Sequence, residues 1–131
     1  MYSDVVIAGG SIAGLICARE IASNNHSVLV IEEDYEIGTP EHCGGLVSST
    51  GLEELGVIPF RKTMNHIIES AEIHAPNGNS FSINSKKQQV AEISRRELDK
   101  QIAHQAQKKG AIIKVRTSFQ ELTEKGVRTS E

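Results

Sequence analysis

The chain is 131 residues long, 38% hydrophobic and 24% charged, with a net charge of -3, the balance of one soluble globular domain. Mild acidity gives no basic footprint for nucleic acid, and no apolar run nears the ~20 residues of a membrane span. Two cysteines are too few for a disulfide framework, and no basic segment precedes an apolar core at the N-terminus, so a reducing cytoplasm is the expected location.

From Asp4, "DVVIAGG" is an apolar run closed by glycines, which predicts a buried parallel strand. "AGLICAREIAS", Ala13 to Ser23, follows with Leu15, Ala18, Ile21 and Ala22 at helical spacing and a stop at Asn24 and Asn25. Cys17 falls inside this helix and is expected to pack. "SVLVIEE", Ser27 to Glu33, predicts a second buried strand that ends in acid. The three elements make a β-α-β unit.

Asp34 to Ser49 is expected as a loop. "TGLEELG" predicts a short helix, with capping-box spacing between Thr50 and Glu53 and a stop at Gly56. Glu69 to Ser85 alternates around Asn77-Gly78, a hairpin signal. Lys86-Lys87 then reads as a solvated loop pair. A third helix is expected from about Arg95 to Lys109, opened by a Ser94/Glu97 capping box, with Leu98, Ile102, Ala103 and Ala106 as its stripe and Gly110 at its end. "AIIKV", Ala111 to Val115, is another strand. Around Gly126 the chain is expected to enter a further hairpin and to stop at Glu131 before completing it.

The first strand-to-helix turn reads "GGSIAG", Gly9 through Gly10, Ser11, Ile12 and Ala13 to Gly14. The dinucleotide fingerprint is G-x-G-x-x-G. Gly9 takes the first place, where the turn is tight. Gly14 takes the third, where helix and strand pack closely. Ser11 replaces the second glycine, nearest the pyrophosphate, and its small hydroxyl can donate to phosphate. The first helical amides carry partial positive charge and suit an anion. Glu32 stands about 20 residues beyond the turn, where a carboxylate accepts from ribose hydroxyls. Glu33 and Asp34 add negative charge and argue against a 2'-phosphate, hence against NADP. FAD and NAD both present ADP to such a turn. A glycine-rich turn in an unrelated α/β protein is the plain alternative, and the flanking elements together with the acid weigh against it.

"TPEHCGGLVS", Thr39 to Ser48, sets Cys43 against Gly44 and Gly45. It reads either as a turn with a buried thiol or as a loop whose backbone lies close to a bound molecule. No Cys-x-x-Cys or paired-His spacing supports a metal site. His26, His66, His74 and His104 are scattered. Arg95 and Arg96 put positive charge in a first helical turn, a cost that a nearby anion would offset.

Taken in order, "DVVIAGGSIAGL", "VLVIEE", "CGGLVS" and "ISRRELDKQIAHQAQKKGA" resemble the geranylgeranyl reductase family of FAD-dependent oxidoreductases. A wider group, with aromatic hydroxylases and electron-transfer-flavoprotein dehydrogenase-like proteins, shares the fingerprint and an Arg-x-x-Leu/Phe-Asp motif, here Arg95, Leu98 and Asp99. Cys43-Gly44-Gly45 is the part particular to the reductases. The resemblance implies an α/β, Rossmann-like FAD/NAD(P)-binding fold. It would be partial here, spanning 1–131, with a hairpin of substrate-domain type inserted at 66–93. It implies non-covalent FAD, an isoprenoid lipid substrate whose double bonds are saturated by hydride from the flavin, and a flavin ring over Gly44 and Gly45 with Cys43 beside it as substrate-positioning or proton-relay residue. It places Arg95 on the flavin side. Chains of the family are longer, so this one is expected to be an N-terminal piece, inactive alone, with an open sheet edge that invites a homodimer; contact with a membrane surface follows from the lipid substrate. A nucleotide-binding module without chemistry of its own, or another flavoprotein of the wider group, is the alternative.

Overall fold

The structure is a computed structural model that describes residues 2–84 and 90–130. Ser85, which closes the expected hairpin, and Lys86-Lys87 lie outside the described residues. The chain divides into two units.

The first unit takes in the chain up to His42 and again from Arg95 onward. Strand β1 (Val5–Ala8), helix α1 (Ile12–Ser23) and strand β2 (Val28–Ile31) form the expected β-α-β unit. Strands β1 and β2 are parallel, with Val5 opposite Val28 and Ala8 opposite Ile31. The connection begins on a brace: the Asp4 carboxylate accepts from the Ser27 N–H at 2.8 Å and from its hydroxyl at 2.7 Å. Those bonds hold the Asp4 carboxyl below its ordinary range.

Helix α1 buries Leu15, Ala18 and Ala22. Cys17 is exposed, against the expectation that it packs. The buried stripe repeats at three- and four-residue steps, and position 17 lies off that face. The helix ends at Asn24, with Asn25 at φ +63°.

Helix α3 (Arg95–Lys108) buries Leu98, Ile102, Ala103 and Ala106 as expected, and also Asp99 and Gln101. Gly110 follows at φ +102°. The chain then enters β8 (Ile112–Lys114), parallel to β2, so the sheet order is β1-β2-β8. Ala18, Ala22, Val28, Val30, Ala106 and Ala111 form one buried cluster with Val5, Ile7, Ile21 and Ile113 against it. Full burial of side chains such as Leu15 and Leu98 is worth about 1.5–3 kcal/mol each. The last hairpin is complete, contrary to the sequence reading: β9 (Phe119–Thr123) pairs antiparallel with β10 (Gly126–Thr129).

The second unit, Cys43–Ser94, holds more strand than the sequence suggests. Leu46–Ser48, expected as loop, is strand β3, and it pairs with β7 (Val90–Ile93), which also pairs with β4 (Met64–Ile68). Between β3 and β4 lies the short helix α2 (Ser49–Glu54). Its cap is Ser48, whose hydroxyl accepts from the Gly51 N–H at 3.1 Å, not Thr50; the Thr50 hydroxyl instead sits 2.9 Å from that of Ser48. The expected hairpin is β5 (Ser70–His74) with β6 (Ser80–Asn84). Its cross-strand pairs Ile73–Phe81 and Ala71–Ile83 put apolar side chains on one face, and Ile73, Phe81 and Ile83 are exposed.

Candidate functional site: a nucleotide crevice at the end of the parallel sheet

The turn from Gly9 to Gly14 sits at the carboxyl end of β1, the end of a parallel sheet where ligands bind in α/β folds. Gly9 extends the ladder by donating its N–H to Ile31 O at 2.9 Å, and its φ of +109° suits glycine. Nothing lies within 4 Å of where its Cβ would be, so the backbone angle, not crowding, selects glycine there. Gly14 is the reverse case: a Cβ would stand 2.1 Å from Gly9 O and 3.2 Å from Ile7 Cγ2. The close helix-to-strand approach expected of the third glycine is therefore present.

Ser11 is the N-cap of α1. Its carbonyl accepts from the Leu15 N–H at 2.9 Å, but its side chain makes no cap hydrogen bond. The first turn of α1 carries no acidic residue. Ser11 and Ala13 are exposed and Ile12 half-buried. Their amides keep the partial positive charge of a helix start without a chain carboxylate competing for it.

Glu32 does more than sequence reasoning assigned it. Its Oε2 accepts from the Gly10 N–H at 2.6 Å and its Oε1 from the Asp34 N–H at 3.0 Å. The carboxylate thus ties the glycine turn to the end of β2. A Cβ on Gly10 would stand 2.5 Å from Ile37 Cδ1 and 3.1 Å from Glu32 Oε2, so glycine is what lets the carboxylate and the buried Ile37 close on the turn. A carboxylate offers about four lone-pair directions, which leaves capacity for ribose hydroxyls beside these two bonds. The segment is held from its other side too: Thr117 N–H donates to Glu32 O at 2.7 Å and Arg116 N–H to Asp34 O at 2.8 Å.

Gly9, Glu32 and Glu33 share a cavity of about 280 Å³ with Ala8, Ile31, Thr117, Ser118 and Phe119. That is just below the ~300–1,000 Å³ of small-molecule clefts, a size for one end of a dinucleotide rather than the whole. Thr117, Ser118 and Phe119 were not anticipated. They follow a strand, carry no motif, and reach the crevice only through the tertiary fold.

Arg95 opens α3. Its Nη2 lies 3.5 Å from Asp99 Oδ1, one helical turn on, while Arg95 Nε and Asp99 Oδ1 are both buried without a hydrogen-bond partner. The 3.5 Å contact is an ion pair too long for a good hydrogen bond. Burial pushes the Asp99 carboxyl up, against the pull of Arg95. Arg96 is matched by Glu36, which it meets at 2.6 Å, as Lys100 does. Those two cations, Lys100 first, hold the Glu36 carboxyl below its ordinary range, and Glu36 in turn raises the Arg96 guanidinium. A depressed carboxylate stabilises above its unfolded pKa and loses that contribution as pH falls through the folded one. The positive charge that seemed to call for an outside anion is thus answered by the chain's own carboxylates. The charge argument for a ligand at Arg95 lapses, and the unpaired Nε remains.

Cys43, Gly44 and Gly45 open the second unit. Cys43 is exposed, which removes the reading of an ordinary buried thiol. Its Sγ accepts from the Gly45 N–H at 3.5 Å. The glycine pair divides by cause. A Cβ on Gly45 would stand 2.1 Å from Ile93 O, whereas nothing lies within 4 Å of one on Gly44. Among the described residues, no group of three or more His, Cys, Asp or Glu is placed to hold a metal, and no helix is long and apolar enough to cross a membrane.

The helix start without a side-chain cap, the Glu32 carboxylate beside it and the cavity are features that could hold the ADP portion of a dinucleotide. No family model matches the chain. It is 33% identical over 119 residues to digeranylgeranylglycerophospholipid reductase 1 of Methanosphaera stadtmanae, covering 89% of this chain and 30% of that one. The digeranylgeranylglycerophospholipid reductase of Methanocaldococcus jannaschii is 31% identical over 115 residues, covering 88% and 29%. The chain spans about 30% of the length of the curated relatives it matches. Among solved structures, a geranylgeranyl bacteriochlorophyll reductase-like protein from Thermoplasma acidophilum superposes with a TM-score of 0.90 at 26% identity, over 97% of this chain and 34% of that one. A probable FAD-dependent monooxygenase from Pseudomonas aeruginosa gives 0.73 at 16% identity, over 98% and 38%, a likeness of fold alone.

Proposed function

We propose, from the premise that this chain is related to the geranylgeranyl reductases among the FAD-dependent oxidoreductases, that it forms the ADP-binding part of a flavin site in an enzyme that saturates isoprenoid double bonds. The observation that carries the proposal is the Glu32 brace on the turn from Gly9 to Gly14, which holds the helix start of α1 open to a pyrophosphate beside the 280 Å³ cavity. Bound and reduced, FAD supplies hydride to one alkene carbon while a proton reaches the other. The chain's part is to bind and orient. The amides of α1 and the Ser11 hydroxyl take the pyrophosphate. Glu32 takes the ribose, and Glu33 and Asp34 disfavour a 2'-phosphate by like charge. The second unit belongs to the substrate side in this reading, where the exposed Ile73, Phe81 and Ile83 offer apolar surface to a prenyl chain.

Calorimetric titration of FAD and ADP into the chain tests this. Both are expected to bind, and Glu32→Gln is expected to weaken both by about 1–3 kcal/mol, the scale of a hydrogen bond to a charged group. Glutamine keeps the size but loses one acceptor, so it opposes an N–H to either Gly10 or Asp34. Binding that is absent, or equal in the two proteins, contradicts the assignment.

Cys43→Ser, made in the polypeptide that carries reductase activity, is expected to leave flavin content unchanged and to lower or redirect turnover on a prenyl substrate. A thiol gives up its proton far more readily than a serine hydroxyl. Steady-state kinetics unaltered by the change would make the exposed thiol a bystander.

A further inference from the structure

From Glu32 to His42 the first unit carries a strap that is neither helix nor strand. Its middle is pinned to α3. The Glu36 carboxylate meets Arg96 Nη2 and Lys100 Nζ at 2.6 Å each, and the two cations stand one helical turn apart. The Glu41 carboxylate accepts from the Arg96 N–H at 3.4 Å, and the Thr39 hydroxyl donates to Glu36 O at 2.8 Å. A Cβ on Gly38 would stand 2.9 Å from both Cα and O of Arg96, so the strap lies against the main chain of the helix. The ion pairs are partly exposed, a setting in which such pairs add little stability. What they fix is the place of the residue between Glu36 and Gly38. Ile37 is 8% exposed. Its Cδ1 would lie 2.5 Å from a Cβ on Gly10, the glycine whose N–H donates to Glu32.

We infer that Ile37 is a positioning residue of the nucleotide turn, set in place by the latch of Glu36 on Arg96 and Lys100. The inference rests on the dinucleotide reading above. The bond from Gly10 to Glu32 joins an N–H to a carboxylate, and water competes for both ends of such a bond. An apolar methyl group against Gly10 excludes that water, and a hydrogen bond strengthens as the local dielectric falls. The same contact limits how far Gly10 can move. The amides at the start of α1 then meet a ligand already ordered, and less free energy is lost to ordering on binding. A helix 60 residues further along the chain thereby bears on the turn without touching the ligand.

Ile37→Val removes Cδ1 and little else. With it, FAD and ADP affinity are each expected to fall about fivefold, the scale of one weakened hydrogen bond. In a Glu32→Gln background the same change is expected to cost less than about twofold, since the bond it protects is already impaired. Ile102→Val removes one methyl group from the buried stripe of α3 and supplies the structural comparison. The melting temperature is expected to fall in both variants, and affinity only in Ile37→Val. Glu36→Gln carries the same test from the exposed side of the strap. It is expected to lower affinity about twofold, the scale of an exposed ion pair, with the melting temperature nearly level. The Gly10 amide proton of the ligand-free chain reports the brace by itself. Its resonance is expected to move upfield in Ile37→Val and Glu36→Gln and to stay in Ile102→Val. An unmoved Gly10 resonance, unchanged affinity in Ile37→Val, or an equal loss in the Glu32→Gln background overturns the role of Ile37 and leaves the dinucleotide reading intact. An unmodified chain that takes up neither FAD nor ADP overturns both.

Discussion

Gly14→Ala is expected to abolish FAD and ADP binding and to destabilise the first unit by more than about 3 kcal/mol, the upper range for overpacking. A single methyl does this because of what it meets. Its carbon would lie 2.1 Å from the carbonyl oxygen of Gly9, and both partners are main chain, fixed by neighbours on each side. Gly9 is bonded to Ile31 through its N–H, and Gly14 sits in the first turn of α1. Relief requires α1 to move off β1, which opens the buried cluster of Ala18, Ala22, Val28 and Val30 and re-aims the amides that face the pyrophosphate. Gly9→Ala is a useful contrast. Nothing is within 4 Å of its added carbon, so its cost is the backbone strain at φ +109°, about 1–3 kcal/mol. The structure thus makes the third glycine more sensitive to an added methyl than the first. Urea midpoints of both variants, with an FAD titration of whichever stays folded, decide between them. Gly14→Ala with unchanged midpoint and affinity would contradict the packing account.

The β-α-β unit was legible because each of its signals is local: apolar runs for β1 and β2, a helical stripe in α1, glycines between. The β5–β6 hairpin was legible from Asn77-Gly78 for the same reason. The sheet β3-β7-β4 was not, since its strands are three to five residues long and two of them are mostly exposed, leaving no alternation to read. Glu32 was legible as an acid at the right spacing, but its second task was not. The 2.6 Å bond to the Gly10 N–H joins residues 22 apart in sequence, and Ile37, which closes on the same glycine, comes from a segment without pattern. The Arg95–Asp99 spacing was in plain view as i,i+4. Burial of that pair was not, because a charged residue on an apolar stripe reads as an interruption of the stripe rather than as part of it.

Gly45→Ala is expected to destabilise the second unit as strongly as Gly14→Ala does the first, while Gly44→Ala leaves its stability within about 0.5 kcal/mol, as for a surface change. Both substitutions add one methyl to neighbouring residues, so the difference isolates their surroundings. At Gly45 the methyl carbon would stand 2.1 Å from Ile93 O, on a backbone at φ +74°. Ile93 also donates its N–H to Gly45 O at 2.9 Å, so the two residues face each other closely across the start of the β3–β7 ladder. Any retreat breaks that bond and then the Leu46–Glu92 pairing beside it. Gly44 is exposed and meets nothing within 4 Å, so the fold gives it no reason to be glycine. If a flavin ring lies over this loop, a Cβ at position 44 collides with it. Gly44→Ala is then expected to keep the apo melting temperature and lower flavin retention in the polypeptide that carries activity, measured as bound flavin after desalting. Full retention in Gly44→Ala would leave Gly45 as the only glycine of the pair with a physical cause, and that cause would be the fold rather than the cofactor.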